Sequence, residues 1–272
     1  MKEKHLNICK TPVLLVDPVS VQAFHIFNPN DWSGLSKAIV SSCAAQHGLL
    51  NYSVNKLHEL FGNAEKICLP KIIELKNQWK TSTWPIDKCN YLAEVPEVHL
   101  FMQVYLNSIK TFLDLIVQLI STENIVYKKI HGFHKKRKDP GGKLLHTLKN
   151  KANIKKIADS LLELIVKQKE RWIDDAVNAR DLLVHPEKGL IQVMFQLEIK
   201  PKNSEIELTG IRKPSIGTTD FNQWADETFK NLNVFSELFI SIIAHNKANS
   251  ANAKSRAAES PVGNVHDFIT IL

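Results

Sequence analysis

The stretch that decides the fold is residues 97–121, "EVHLFMQVYLNSIKTFLDLIVQLIS". Its apolar residues recur every three or four positions, the spacing that places side chains on one face of an α-helix. They are Val98, Met102, Tyr105, Ile109, Phe112, Ile116 and Leu119. The stretch therefore predicts a long helix with one buried face, as in a helical bundle.

Other segments repeat this spacing. From Trp32 a helical pattern runs through Leu60, with Asp31 or Ser33 available as the N-cap. Residues 64–80 predict another helix, which Pro70 ends or kinks early. Residues 154–184 predict a second long helix, in which Gln168 is the only polar member of the main apolar stripe, and a last helix is expected over about 220–245.

After residue 189 the pattern changes. Residues 190–199 and 205–211 are rich in strand formers and are separated by "KPKNS", which predicts a β-hairpin over 190–211. We expect a mainly α fold, a helical bundle with one β-hairpin insertion. Residues 1–246 form a single domain with an irregular arm at 1–30, and 247–272 are expected to be a disordered tail because they contain little to bury.

Composition indicates the compartment. Four scattered cysteines (Cys9, Cys43, Cys68 and Cys89) form no CxxC pair, which favours reduced thiols over a disulfide framework or a zinc site. The N-terminus lacks the long apolar run of a signal peptide, and we expect the most apolar segments to be too short and interrupted to cross a bilayer. We expect a cytoplasmic protein with no membrane partner.

The net charge of +7 comes from one segment. Residues 128–156 contain eleven Lys or Arg and a single Asp, a local balance of +10, so the rest of the chain carries about −3. Such a segment attracts polyanions, nucleic acid above all, although a solvated loop without a partner is the alternative. The expected RNA-binding residues are Lys135, Lys136, Arg137, Lys138 and Lys143.

The candidate functional residues lie at the end of the helix at 154–184, around "NARDLLVHPEKG" at 178–189. One polar row along the helix consists of Asp174, Asn178, Asp181 and His185. Arg180 lies in the neighbouring row, which is otherwise apolar, so we expect it to be partly buried or at an interface and to need an anionic partner.

His185 stands at the negative end of a long helix, which favours the imidazolium by roughly 0.3–1 kcal/mol. Asp181 acts in the same direction and Arg180 opposes it. A histidine that titrates near neutral pH can transfer protons, and an arginine can bind a phosphate oxygen. The alternative is structural: His185 caps the last carbonyls of the helix, and Asp181 bridges to a lysine.

The sequence Arg180-Asp181-Leu182-Leu183-Val184-His185 resembles the R-[polar]-x-x-x-H motif of the HEPN superfamily. This resemblance implies a helical bundle, often a dimer with two motifs facing each other, and in many members an RNase of defence, toxin–antitoxin or RNA-processing systems. The implied catalytic residues are Arg180 and His185, assisted by Asp181. Other members have lost catalysis and bind RNA, nucleotides or protein partners, so a non-catalytic module, or a toxin controlled by an antitoxin, is the rival hypothesis.

Motifs for nucleotide hydrolysis, dinucleotide binding, metalloprotease and serine-hydrolase chemistry are absent from the sequence. The sequence contains no GxxxxGK[ST], GxGxxG, HExxH or GxSxG pattern. The "HGFH" at 131–134 is a poor ligand set because neighbouring lysines repel a divalent cation. We therefore expect no cofactor and no metal.

Overall fold

The computed structural model describes residues 32–79, 89–126, 130–133, 141–152, 156–184, 191–202 and 205–255, and the fold is mainly α, as predicted. The helices are α1 (Gly34–Gly62), α2 (Ala64–Trp79), α3 (Pro96–Thr122), α4 (Gly142–Ala152), α5 (Lys156–Gln168), α6 (Asp174–Val184) and α7 (Phe221–Ser255). The strands are β1 (Cys89–Ala93), β2 (Phe195–Lys202), β3 (Glu205–Arg212), β4 (Ser215–Ile216) and β5 (Thr219–Asp220).

Helix α3 forms the middle of the bundle. All seven apolar residues of its predicted face are buried. The Tyr105 hydroxyl donates a hydrogen bond to the carbonyl of Ala225 on α7 (2.6 Å), and burial raises the pKa of this phenol well above its usual value. The edge of its ring packs against Phe221 and Trp224. These contacts fix α3 to the first turns of α7.

Helices α1 and α3 are antiparallel neighbours. Ser33 caps α1 by accepting a hydrogen bond from the backbone N–H of Ser36, which confirms one of the two predicted N-caps. The Ser36 hydroxyl donates to the carboxylate of Glu123, at the far end of α3. At the opposite end of the pair, the rings of Tyr52 and Phe101 meet edge to face.

Helix α3 is also long and apolar enough to cross a membrane, with a mean hydropathy of 1.3 in its most apolar window. The expectation that every apolar segment is too short was wrong for this helix, which has 27 residues. Half of that window is buried inside the fold, as in the core helix of a bundle.

Helix α2 runs through Pro70, so of the two predicted alternatives, an early end or a kink, the early end is excluded. The proline ring removes one backbone donor. Pro70 is exposed, so water can satisfy the carbonyl that this donor would have paired with.

The predicted helix at 154–184 is helical over its described part, 156–184, but a π-turn at Lys169–Ile173 divides it into α5 and α6. In this turn the Asp174 N–H donates to the carbonyl of Lys169, five residues earlier. The same pair forms an ion pair, with Lys169 Nζ 2.6 Å from Asp174 Oδ2. The predicted extent of the helix is therefore confirmed over 156–184, whereas the π-turn, which brings positions five apart together, was not predicted.

The predicted hairpin is present as β2 and β3, which pair antiparallel with a bulge between Glu198 and Ile199. A third strand, β1, pairs antiparallel with β2 and was not predicted. Phe195, Leu197 and Ile199 of β2 are buried, so the sheet contributes one apolar face to the core. Strand β1 has only five residues and its Leu92 is exposed, which leaves little alternation to read in the sequence.

Helix α7 continues to Ser255 instead of ending at about 245. Residues 247–255, predicted as the start of a disordered tail, are thus helical. The predicted arm at 1–30 and the rest of the tail, 256–272, lie outside the described residues.

Residues 130–133 lie along α3 and contact Gly141, the next residue that the structure describes. Ser121, Gln118 and Asp114 of α3 bond the backbone of residues 130–133 in that order, ending with the Phe133 N–H donating to Asp114 Oδ1 at 2.5 Å. The chain returns at Gly141, which has a positive φ of 69°. A Cβ on Gly141 would lie 2.4 Å from Cζ of Phe133, so the two residues are packed in contact.

We predict that Gly141→Ala destabilises the protein more than Gly217→Ala. Both glycines have positive φ, which costs an alanine about 1–2 kcal/mol. Only at Gly141 does the added methyl also overlap a ring, which adds about 1–3 kcal/mol, whereas nothing lies within 4 Å of a Cβ at Gly217. Urea unfolding monitored by circular dichroism measures the difference, and equal losses would contradict the Phe133 packing.

Candidate functional site

Arg180 lies on the last turns of α6, which packs against α3. Its helix neighbours Ala176, Val177 and Ala179 are buried. The Arg180 side chain is 30% exposed, which confirms the predicted partial burial.

Two side chains hold the guanidinium of Arg180. Its Nε donates to Oδ1 of Asn107 on α3 (3.3 Å), and Nη1 donates to Oδ1 of Asp181 (3.4 Å). A guanidinium has five N–H donors. The other three have no acceptor among the described residues, so the forked end of the group is available to an oxyanion.

Asp181, predicted to assist His185, lies beside Arg180, and its side chain is 18% exposed. Helix α6 is helical through Val184, in agreement with the predicted end at about 184 or 185. His185 itself lies outside the described residues, as do Lys135, Lys136, Arg137 and Lys138. The roles given to these five residues remain predictions.

The rest of the predicted polar row has different surroundings. Asp174 forms the ion pair with Lys169 across the π-turn, and its other oxygen, Oδ1, is buried without a hydrogen-bond partner in the described part of the chain. Asn178 is exposed. Asp174 thus has a structural partner, whereas Asn178 is solvent-exposed and Asp181 contacts the motif arginine.

The outer stripe of α3, defined as Asn107, Lys110, Asp114, Gln118 and Ser121, joins Arg180 to the basic segment. These positions lie on one side of the helix because they are three or four residues apart. Asn107 contacts Arg180, and the last three bond residues 130–133. The Lys110 ammonium, between the two regions, is 2.5 Å from Asp114 Oδ1 and its side chain is 18% exposed.

The sequence prediction did not identify Asn107, Lys110 or Asp114. A signal for them exists, because they are polar positions at i, i+3 and i+7, on the side of the helix away from its predicted apolar face. That spacing indicates a solvated or functional stripe, but it does not indicate that Arg180, 73 residues later, contacts it.

Helix α4 provides the described half of the basic surface. Leu144 and Leu148 are buried, whereas Lys143, His146 and Lys149 are exposed. The helix contains no Asp or Glu. Lys143, predicted to bind RNA, therefore lies on a solvent-facing surface, two residues beyond the contact between Gly141 and Phe133.

Concave surfaces elsewhere offer less chemistry. One of about 520 Å³ lies between α2 and the β1–α3 junction, and it is lined by Cys68, whose pKa burial raises to about 11. A thiol with that pKa is a poor nucleophile at neutral pH. Within the described ranges, no group of three His, Cys, Asp or Glu side chains is placed to hold a metal ion.

Comparison of the chain with protein-family models, curated proteins and solved structures gives no significant match.

We predict that the contact between Arg180 and Asn107 contributes little to stability. In a double-mutant cycle with Arg180→Ala and Asn107→Ala, the coupling free energy should be about 1 kcal/mol or less, because the hydrogen bond is long and the guanidinium partly solvated. Thermal or urea unfolding of the four proteins gives this value.

A buried pair supplies the contrast. Gln168 is 1% exposed and its Oε1 accepts a hydrogen bond from Trp172 Nε1 at 2.9 Å. Gln168→Leu should cost about 1–3 kcal/mol because it leaves that indole N–H unsatisfied. A coupling at Arg180 as large as this loss would mean that the arginine is a structural residue.

Proposed function

We propose that the protein is a metal-independent endoribonuclease of HEPN type, which cleaves RNA to 2′,3′-cyclic phosphate and 5′-hydroxyl ends. The observation that carries the proposal is the way in which the Arg180 guanidinium is held. Its guanidinium is fixed through two N–H groups and offers three others at a partly exposed position, within an R-[polar]-x-x-x-H sequence.

In the proposed reaction His185 accepts the proton of the ribose 2′-hydroxyl. The 2′-oxygen forms a new bond to phosphorus, the bond from phosphorus to the 5′-oxygen breaks, and the leaving oxygen takes up a proton. Charge builds on the non-bridging phosphate oxygens, and the free donors of Arg180 stabilise it. Asp181 orients His185. It also restrains Arg180, because its Oδ1 accepts a hydrogen bond from Arg180 Nη1.

The proposal includes the partners that the motif implies. RNA is the substrate, attracted by the basic residues of 128–156 in a cytoplasmic setting. A second copy of the chain completes the site. A protein antitoxin or regulator is a further binding partner.

We predict that the purified protein cleaves mixed single-stranded RNAs in the presence of EDTA, and that Arg180→Ala and His185→Ala each lower the rate about 10²- to 10⁴-fold, the usual contribution of such groups. Gel analysis measures the rates. The products should accept a 5′-phosphate from a kinase without prior dephosphorylation, and acid should open their cyclic ends.

Matched controls are Arg171→Ala and His245→Ala. Arg171 is exposed on the π-turn that precedes α6, and His245 lies on α7. Both variants should cleave at the wild-type rate. If all five proteins leave RNA intact while Arg180→Ala weakens RNA binding, the non-catalytic module is the correct reading.

The dimer has its own test. Val184, inside the motif, is 40% exposed, and an apolar side chain at this position suits a contact with a second copy. Val184→Glu should convert a dimer to a monomer in light scattering and reduce cleavage. Val166→Glu on α5, where the valine is 39% exposed, should do neither. A monomeric wild type with full activity would rule out the shared site.

A further inference from the structure

The outer stripe of α3 forms a continuous path from Arg180 to the basic helix α4. Asn107 contacts Arg180, and Lys110 pairs with Asp114. Asp114 also accepts the Phe133 N–H, and the Phe133 ring packs on Gly141, immediately before α4. Asn107 and Lys110 lie one helical turn apart on the same side of α3, and each of the other steps is a direct contact between described residues, so the order of the groups is fixed.

We propose that a single RNA strand lies along this path, with Arg180 at the reacting phosphate and with Lys110 and Lys143 at phosphates farther along the strand. The inference rests on the proposed function and adds a substrate class to it: oligonucleotides of several residues, in contrast to dinucleotides or mononucleotides. Lys110, absent from the motif, is a positioning residue for the strand.

The dimensions of the stripe set the minimum length. Asn107 and Asp114 are seven residues apart, which corresponds to about 10 Å along a helix. A stacked strand advances about 3.4 Å per nucleotide, so this distance covers about three nucleotides. Lys143 lies beyond Asp114, past the Phe133–Gly141 contact. A dinucleotide contains a single internucleotide phosphate, which Arg180 would bind, so it offers no further phosphate to either lysine.

The charges along the path favour a phosphate backbone. The acidic side chains on it are Asp181 and Asp114, and each is engaged by a cation, Arg180 and Lys110 respectively. An ammonium has three donors, and Lys110 uses one on Asp114. Two remain without an acceptor among the described residues. Lys143 is exposed on a helix that carries no carboxylate.

The test measures how RNA binding depends on salt. A labelled twelve-nucleotide 2′-O-methyl RNA cannot be cleaved through its 2′-oxygen, so fluorescence anisotropy reports binding alone. The variants are Lys110→Gln, which keeps a donor for Asp114 and most of the packing, and Lys143→Gln. Lys71→Gln is the matched control, because Lys71 pairs with Glu74 on α2, outside the path.

Each phosphate contact to a single strand contributes about 0.7 to the slope of log K against log salt. Between 50 and 200 mM salt, wild type should therefore lose about threefold more affinity than Lys110→Gln or Lys143→Gln. Lys71→Gln should match wild type, and Lys110→Arg should restore the slope. For a cleavable eight-nucleotide RNA, Lys110→Gln should raise KM and leave kcat unchanged.

The outcomes separate this inference from the proposed function. Wild-type slopes for both path variants, together with normal cleavage by wild type, would overturn the path and leave the nuclease standing. Reduced slopes without any cleavage would support the path as an RNA-binding surface and reject the nuclease. Equal kcat/KM for a dinucleotide and a twelve-nucleotide RNA would also overturn the path.

Discussion

The burial of α3 on every side but one is the constraint on which the rest of the structure depends. It packs mainly against α1 and α6, and Tyr105 fixes its register with α7 through the carbonyl of Ala225. What remains is a narrow polar stripe. Because buried neighbours hold the helix, the side chains on that stripe are displayed with little freedom. Arg180, the segment at 130–133 and the basic helix α4 are all positioned by reference to it.

The π-turn gives α6 its orientation relative to α5. A regular helix would separate positions 169 and 174 by more than one turn, whereas the wide turn places Lys169 and Asp174 in contact. An inserted residue of this kind rotates everything that follows it around the helix axis. The residues that follow are Arg180 and Asp181. Single-turn π segments occur often near functional sites, and here the turn lies directly before the helix that carries the motif.

Periodicity in the sequence was sufficient to predict most of the helices and the hairpin, because each has enough residues to repeat its pattern. Strand β1 was not predicted because its five residues, with an exposed leucine, show almost no alternation of apolar and polar side chains. The π-turn was not predicted because Gln168 and Trp172 continue the regular apolar spacing of the sequence, although the backbone contains one extra residue in this turn. Arg180 and Asp181 could be selected from local spacing and the motif, but Asn107 could not, since its contact with Arg180 is long-range.

The choice of an amide at position 107 matters for the chemistry of Arg180. A carboxylate in contact with Nε would neutralise the guanidinium and compete with a phosphate for it. The amide oxygen of Asn107 is neutral, so it orients the guanidinium without compensating its positive charge. Asp181 supplies the only carboxylate that contacts Arg180 in the described part of the chain, through one oxygen at 3.4 Å. A single long contact is far weaker than a bidentate pair with a phosphate. Arg180 is therefore held in a defined orientation while most of its charge stays available, as the binding of a phosphate group would require.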